Sequence, residues 1–278
     1  MRVRYSFSSR HTRTLDTHNE HRSEFPAVVN EIVDKCDIIL EVLDARFIEE
    51  TRNLELENLI KQKGKKIIYV LNKIDLADKK KVREKIDILN LKPHIFVSCK
   101  EREGSSELRN RIKMEAKKSN KVSKIHIGVI GYPNTGKSSI INILVGRAVA
   151  RTASEAGFTK GIQKINLASN LVIIDTPGVI PESRYSMQDS KKMAGHAKLS
   201  ARGWDKIKEP EMVVHELVME YPGIIEKYYG LGIGGDSELL IEELGRKKRF
   251  LLPGGKVDID KTARLILKEW QTGKIKTD

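Results

Sequence analysis

A stretch of nine residues, GYPNTGKSS, combines glycine, lysine and hydroxyl side chains at a spacing that suits phosphate chemistry. Gly131 is followed, after four residues, by Gly136, Lys137 and Ser138. Backbone N–H groups in such a loop point at one phosphate chain, which the positive end of the following helix also attracts. Lys137 would then reach the outer phosphates, and the Ser138 hydroxyl would bind Mg²⁺. We therefore predict nucleotide binding by Asn134, Thr135, Gly136, Lys137, Ser138 and Ser139.

The neighbouring residues supply the two elements that a phosphate-binding loop needs. Residues 124–130 form an apolar run of strand length before the loop, and residues 139–145 form an apolar helix that Gly146 closes. A glycine-rich turn that matches the pattern by chance is the alternative interpretation. The strand before the loop and the helix after it favour the phosphate-binding loop.

A second motif, Asn72-Lys73-Ile74-Asp75, follows an apolar run at residues 66–71 that predicts a buried strand. The Asp75 carboxylate can accept hydrogen bonds from N1–H and the 2-amino group of guanine, whereas adenine has the wrong donors there. The aliphatic stem of Lys73 can cover the base. An ordinary turn is the alternative for four such common residues, but their position after a strand favours a guanine site. Three further residues could close over the base or form an ordinary strand exit: Ser98, Cys99 and Lys100.

A third group of residues suits metal and γ-phosphate chemistry. Asp175 ends another predicted strand and begins the sequence Asp-Thr-Pro-Gly. A carboxylate beside the phosphate loop can hold Mg²⁺ through water, and the Gly178 N–H can contact a γ-phosphate. Thr159 lies in a polar, glycine-bearing segment and could add a metal ligand when that phosphate is present. The predicted Mg²⁺ ligands are therefore Ser138, Thr159 and Asp175.

The elements that must position these residues alternate between strand and helix. Helical spacing covers residues 24–35, 51–63, 78–89 and 105–118, and strand-like runs cover residues 37–44, 66–71 and 93–97. Such alternation is typical of βαβ units, so we predict an α/β P-loop domain with a mostly parallel sheet. Residues 164–168 and 171–174 predict a hairpin.

The last part of the sequence has helical periodicity only, at residues 211–221, 236–244 and 258–273. We expect a flexible basic arm at residues 1–22, the α/β domain at residues 23–203 and a small all-α domain at residues 204–278. Candidates for inward-facing helix positions are Leu108, Ile112 and Met114 on one helix, and Ile259, Ala263, Ile266 and Trp270 on another.

Composition narrows the class of partner and compartment. The net charge is +13, and residues 61–124 hold 20 Lys and Arg against 8 Asp and Glu, which favours a polyanion such as RNA over a merely solvated face. No apolar run is long enough for a bilayer, and the N-terminus lacks the apolar core of a signal peptide. Two cysteines are too few for a disulfide framework, so we expect a cytoplasmic protein. The spacing of His11, His18 and His21 fits no common metal site and favours a solvated tail.

Motif order is the most specific feature of the sequence. An ordinary small GTPase has its phosphate loop first and its Asn-Lys-x-Asp motif fourth, whereas here NKID and SCK precede GYPNTGKS, GFT and DTPG. From about Phe25 onward the chain resembles the circularly permuted GTPases of the YlqF/YawG type, which are associated with ribosome assembly. The resemblance includes Asp44-Ala45-Arg46 and Leu252-Pro253-Gly254-Gly255. The sequence leaves the role of Arg46 open; it follows a strand carboxylate, with which it could simply pair locally.

The resemblance implies a monomeric assembly factor that binds and hydrolyses GTP and contacts ribosomal RNA and a ribosomal subunit, more specifically the large one. It also implies that Asn134 holds a potassium ion, as in related K⁺-activated GTPases. Val179 stands where Ras-like enzymes place a water-orienting glutamine. Hydrolysis is therefore expected to be slow, and faster with K⁺ and on the ribosomal particle, with catalytic contributions from Asn134, Lys137, Thr159 and Gly178.

Permutation has a mechanical consequence for residues 186–200, which lead from the Asp-Thr-Pro-Gly motif directly into the C-terminal helices. A nucleotide-driven change at residues 175–180 would pull on that region, in which the basic run at residues 246–249 is either an rRNA contact or a solvated helix end. Two other functions fit the same sequence. One is a regulatory GTPase that acts on a non-ribosomal protein or membrane process, and the other is an RNA-binding module with a structural nucleotide.

Overall fold

The computed structural model describes residues 24–119, 123–146, 163–175, 195, 199 and 203–276. The N-terminal arm, Thr159 and Gly178 lie outside these residues, so the predictions made for them stay predictions. Within the described ranges, no helix combines the length and the apolar character that crossing a membrane requires.

A six-stranded sheet in the order β3-β2-β1-β4-β6-β5 forms the centre of the molecule. Every pair of neighbours is parallel except β5 and β6, which are antiparallel. This confirms the predicted mostly parallel α/β fold. The strands are β1 Ile38–Asp44, β2 Lys66–Asn72, β3 His94–Phe96, β4 Ile125–Gly131, β5 Gln163–Ala168 and β6 Leu171–Asp175.

Helices cover both faces of the sheet. They are α1 Glu24–Lys35, α2 Ile48–Thr51, α3 Leu54–Gln62, α4 Lys79–Leu89, α5 Ser105–Lys118 and α6 Lys137–Val145. One cluster of buried residues packs α5 and α6 against one face of the strands, and a second packs α1 and α3 against the other face. The packed helices hold the strands in place, and the strands in turn position the loops that carry the predicted motifs.

The helix predicted at residues 51–63 is interrupted. Thr51 ends α2 by donating its hydroxyl to the Phe47 carbonyl, at 2.7 Å between the oxygens. The Asn53 side chain then accepts the Leu56 N–H at 3.0 Å and begins α3 as its N-cap. A side-chain bond to the backbone competes with continued helix at both positions, which the hydrophobic spacing alone does not reveal.

Two predicted core positions are wrong. Met114 is 53% exposed, because the face that starts with Leu108 and Ile112 continues through Glu115 and Ala116, which are buried. Ile259 is 47% exposed, since it lies in the first turn of the last helix, whose residues 259–261 all face solvent. The other inward candidates on these two helices are buried, as predicted.

Within residues 203–276, four α-helices follow the sheet: α7 Pro210–Glu220, α8 Ile224–Tyr229, α9 Ser237–Lys247 and α10 Ile259–Gln271. Their buried side chains form one cluster, and this cluster includes Phe47 and Tyr132 from the loops after β1 and β4. The rings of Phe47 and Trp270 stack with centroids 6.5 Å apart, and those of Tyr221 and Trp270 lie 5.0 Å apart. The helices thus share a core with the loops at one edge of the sheet. The domain boundary after residue 203 stays a prediction.

Candidate functional site

The predicted motifs meet at the edge of the sheet where the parallel strands end. Asp44 pairs with Asn72 at the ends of β1 and β2, Val42 pairs with Gly131, and Asp175 pairs with Val129. Loops after parallel strands share one edge, where ligands of open α/β sheets bind. The fold therefore brings the base motif, which comes early in the chain, beside the phosphate loop.

Two glycines of the phosphate loop have backbone positions that a side chain would block. A Cβ at Gly131 would lie 2.4 Å from the Val42 carbonyl oxygen, and one at Gly136 would lie 2.2 Å from Asn72 Nδ2. Gly136 also has a φ of +97°, which L-residues rarely adopt. These close approaches let the loop pack on β1 and on the base motif, and α6 begins directly after Gly136.

Lys137 lies inside this loop. Its Nζ donates to the carbonyl oxygens of Gly131 and Tyr132, at 3.1 and 3.0 Å. Burial lowers the pKa of this amine to about 8, although the charge of Asp175 opposes the shift. A phosphate chain would offer the amine a stronger, charged acceptor than two carbonyls do. Ser138 and Ser139 follow in the first turn of α6 and are half-buried.

This pKa gives a pH-dependent prediction. We expect affinity for GTP to fall above pH about 8, by up to roughly tenfold per unit, because binding then requires Lys137 to take up a proton. Calorimetry in buffers of different ionisation enthalpy measures that uptake. Lys137→Arg keeps its charge throughout this range, so it should bind more weakly but with no such dependence. A wild-type affinity that is flat from pH about 7 to about 9, with no proton uptake, would contradict the expectation.

The predicted base-binding residues are held by specific hydrogen bonds. Asn72 Nδ2 donates to the Thr135 carbonyl at 2.7 Å, so the base motif and the phosphate loop are directly joined. Asn72 Oδ1 is buried and has no hydrogen-bond partner among the described residues. Ser98 Oγ donates to Asp75 at 2.6 Å and accepts the Glu101 N–H at 3.0 Å. The carboxylate that would accept from guanine is thereby oriented from the next strand.

Two other predicted residues differ in placement. The Lys100 side chain is 75% exposed and its Nζ lies 3.8 Å from Glu101, so it is turned toward solvent. Cys99 is half-buried beside that motif, and burial together with the charge of Asp75 raises the pKa of its thiol to about 12. Its thiol is therefore neutral at physiological pH and lines the side of the base motif. Burial also raises the pKa of Cys36 to about 12, consistent with a core side chain.

Asp44 also belongs to the site, although its contact with the base motif was not predicted from the sequence. It is buried and accepts hydrogen bonds from Arg46 Nε at 3.0 Å and Nη2 at 2.8 Å. Its Oδ2 also lies 2.8 Å from Lys73 Nζ. Burial alone would raise the pKa of the Asp44 carboxyl, but the charges of Arg46 and Lys73 hold it well below its usual range. Arg46 therefore pairs locally with Asp44, and the same carboxylate also holds the lysine of the base motif.

Arg46 extends this network to the last helix. Its Nη1 donates to the Trp270 carbonyl at 3.4 Å, and its guanidinium lies 5.0 Å from the centroid of the Phe47 ring. Gly273, just after α10, approaches the base motif as well, since a Cβ there would lie 2.5 Å from Leu76 Cδ1. The base motif is thus connected to the C-terminal helices through Asp44 and Arg46, and through Leu76 beside the motif.

The metal prediction is compatible with the described residues. Asp175 is buried at the end of β6, within electrostatic reach of Lys137, and Ser138 follows Lys137 in the first turn of α6. A hydroxyl and a carboxylate are the hard oxygen ligands that Mg²⁺ takes together with water and phosphate. Asn134 is half-buried and has a φ of +59°. The third predicted ligand, Thr159, lies outside the described residues.

The fold and the loop define a P-loop GTPase whose motifs stand in circularly permuted order. Residues 126–227 match the family described as 50S ribosome-binding GTPase. An uncharacterized GTP-binding protein of Methanocaldococcus jannaschii is 42% identical over 89% of this chain, which spans 65% of that protein. Ribosome biogenesis GTPase A of Priestia megaterium is 28% identical over 92% of the chain, which spans 93% of that protein.

A solved structure shows the same fold. GNP-bound YlqF from T. maritima has a TM-score of 0.61 and 23% identity, and the alignment covers 91% of this chain and 95% of that one. In fold and in motif order the chain is similar to the circularly permuted GTPases of the YlqF/YawG type.

Proposed function

We propose that this chain binds and hydrolyses GTP as an assembly factor of the ribosome, acting on the large subunit. The hydrogen bond from Asn72 Nδ2 to the Thr135 carbonyl, at 2.7 Å, carries the proposal, because it makes one nucleotide site from two motifs in reversed order. The names of the matched family and of the Priestia relative support the ribosomal part.

In the proposed site, each described residue has a defined task. Asp75, oriented by Ser98, accepts from the guanine edge, and Lys73, anchored by Asp44, covers the base. Lys137 leaves the loop carbonyls to pair with the outer phosphates. Mg²⁺ supplies charge stabilisation on the phosphate oxygens when bound, and Ser138 and Asp175 would hold it together with Thr159. The Gly178 N–H would contact the γ-phosphate.

A monovalent cation is proposed at Asn134. Hydrolysis should then be slow in Na⁺ and roughly tenfold faster in K⁺, because the larger ion offsets charge between the phosphates where other systems use an arginine. Initial rates of phosphate release in matched chloride salts measure this. Asn134→Ala should bring the K⁺ rate down to the Na⁺ rate while nucleotide affinity stays similar. Equal wild-type rates in the two salts would refute the cation site.

The partner is tested by sedimentation with purified ribosomal subunits, with a non-hydrolysable GTP analogue, with GDP and without nucleotide. Co-migration with the large subunit only in the GTP-like state is expected, since GTP would favour docking and hydrolysis release. Intact nucleotide binding without co-migration in any state would favour a regulatory GTPase of a non-ribosomal process.

The finer parts of the proposal concern organisation. We place the nucleotide site in a domain at residues 23–203 and the output in the helices from residue 204 on, with residues 175–180 transmitting the nucleotide state between them. Two contacts support such communication. Arg46 donates to the Trp270 carbonyl on α10, and Gly273, just after α10, packs on Leu76 beside the base motif. We also propose that the protein is a cytoplasmic monomer that contacts ribosomal RNA.

A further inference from the structure

A basic groove lies at the opposite edge of the sheet from the nucleotide motifs. It has a volume of about 790 Å³ and is formed where β2 and β3 begin and where α5 ends. One carboxylate, Glu115, lines it. Its cationic side chains are Lys61, Lys65, Lys66, Lys92, Arg111 and Lys118.

Part of this positive charge is compensated inside the groove. Glu115 is buried and contacts Lys118 at 2.9 Å and Arg111 at 3.5 Å. Lys61 lies 3.8 Å from Glu57, a carboxylate that Arg52 already neutralises with two hydrogen bonds. The other three cations, Lys65, Lys66 and Lys92, form no ion pair with any of the described residues.

Lys66 and Lys92 are the exposed cations of the groove that have no acidic partner among the described residues. They come from the starts of neighbouring strands, so the sheet holds them on one side of the groove while α5 provides the other. Lys66 and Lys92 on the sheet side face Arg111 and Lys118 on α5, and such an arrangement suits a ligand with repeated negative charge.

We propose that this groove binds the phosphate backbone of RNA. The inference rests on the proposed function, since a maturing ribosomal particle supplies that RNA, and it names a specific contact site. A protein partner is less suited, because interface cores are rich in exposed apolar and aromatic side chains. Here Tyr69 is buried, and only Ile67 and Pro93 offer half-buried apolar surface.

The groove and the guanine motif bind their ligands independently. Lys66 begins the seven-residue strand β2, and Asn72 ends it six positions further along. At a rise of about 3.3 Å per residue the two sites are roughly 20 Å apart. RNA bound in the groove leaves the nucleotide edge open, so groove variants should keep wild-type nucleotide affinity.

The test uses fluorescence anisotropy of a labelled RNA duplex of about 20 base pairs with the full chain. Lys66→Glu with Lys92→Glu should weaken binding on the order of tenfold or more and reduce the salt slope by about 2. The matched control, Lys80→Glu with Lys81→Glu, makes the same change of charge at two exposed residues that begin α4. It should weaken binding by no more than about twofold.

A third variant changes affinity in the opposite direction. Glu115→Gln removes the groove's carboxylate and releases Arg111 and Lys118, so it should tighten RNA binding by about threefold. Thermal unfolding and GDP affinity are measured for every variant. Tighter binding with unchanged GDP affinity supports the groove, whereas an unchanged RNA affinity in a folded Glu115→Gln protein counts against it.

Other outcomes overturn the inference without touching the proposed function. Equal weakening by the groove variant and its control would show diffuse attraction and no site. If the wild type binds subunits but not the RNA duplex, the groove is no RNA site and its partner is an acidic protein. Failure of the proposed function is seen separately, as absence of GTP hydrolysis or of co-sedimentation in the wild type.

Discussion

Asp44→Asn is expected to lower the free energy of unfolding by about 3 kcal/mol at neutral pH, because it leaves two buried or half-buried cations without their carboxylate. The side chains of Asp44 and Arg46 are 3% and 4% exposed, and Lys73 Nζ shares the same carboxylate. The same change should weaken GDP binding by roughly tenfold, about 1.4 kcal/mol, since Lys73 loses the anchor that holds its stem over the base.

Two controls separate positioning from general damage. Asp260→Asn breaks a similar two-bond pair, between Asp260 and Arg264, at an exposed site, and should cost less than about 1 kcal/mol. Inorganic triphosphate competes for the phosphate loop without a base, so its affinity should not change in Asp44→Asn. Denaturant unfolding and competition binding measure these quantities. Equal losses for GDP and triphosphate would show that Asp44 acts only through stability.

Glu41→Gln is expected to stabilise the protein at alkaline pH. Glu41 lies in the middle of β1, where burial and the charge of Glu57 raise its pKa to about 8. The unfolded carboxyl ionises near 4.5, so deprotonation favours the unfolded chain as pH rises from there through about 8. The wild type should therefore lose roughly 5 kcal/mol over this range relative to Glu41→Gln, at about 1.4 kcal/mol per pKa unit.

The comparison with Glu57→Gln makes this expectation specific. Glu41 accepts one hydrogen bond, from the Asn53 N–H at 3.2 Å, and its Oε2 has no partner among the described residues. Glu57 is bound by Arg52 and by the Tyr69 hydroxyl at 2.9 Å, so its replacement should destabilise the protein at neutral pH. Denaturant unfolding at pH about 5, 7 and 9 distinguishes the two. A gain for Glu41→Gln that is the same at all three values would refute the assignment.

Local sequence signals predicted most of the elements and the motifs, but not the break at residues 52–53 or the short helix α8. Helix α5 has its predicted bounds, and Asp78 caps α4 where the pattern begins. The guanine and phosphate motifs were found because each needs only a few neighbouring residues after a strand. Their approach to each other follows from parallel strands ending at one edge, which the alternation of elements already indicates.

The sequence could not predict contacts that depend on strand register. Asp44 reaches Lys73 because it pairs with Asn72 on the adjacent strand, 28 positions further along the chain. The one sequence signal for the contact with Lys73 is the place of Asp44 at the carboxyl end of a buried strand, next to the strand that carries the base motif. The sequence also gave no signal that Glu41 lies near Glu57 and Asn53. Every position of its strand is buried, so the burial pattern does not single Glu41 out. Similarly, the lysines at residues 61–118 were visible as a basic block, but sheet order decides which of them share a groove.

The shared core of Phe47, Tyr132 and the C-terminal helices has a consequence for biosynthesis. Phe47 and Tyr132 leave the translating ribosome well before Trp270, with which Phe47 stacks. Domains generally fold as units in the order of synthesis, but these loops complete their packing only when the final helix has emerged. Tyr132 belongs to the phosphate loop itself, so we expect competence to bind guanine nucleotide to arise only after α10 has left the ribosome.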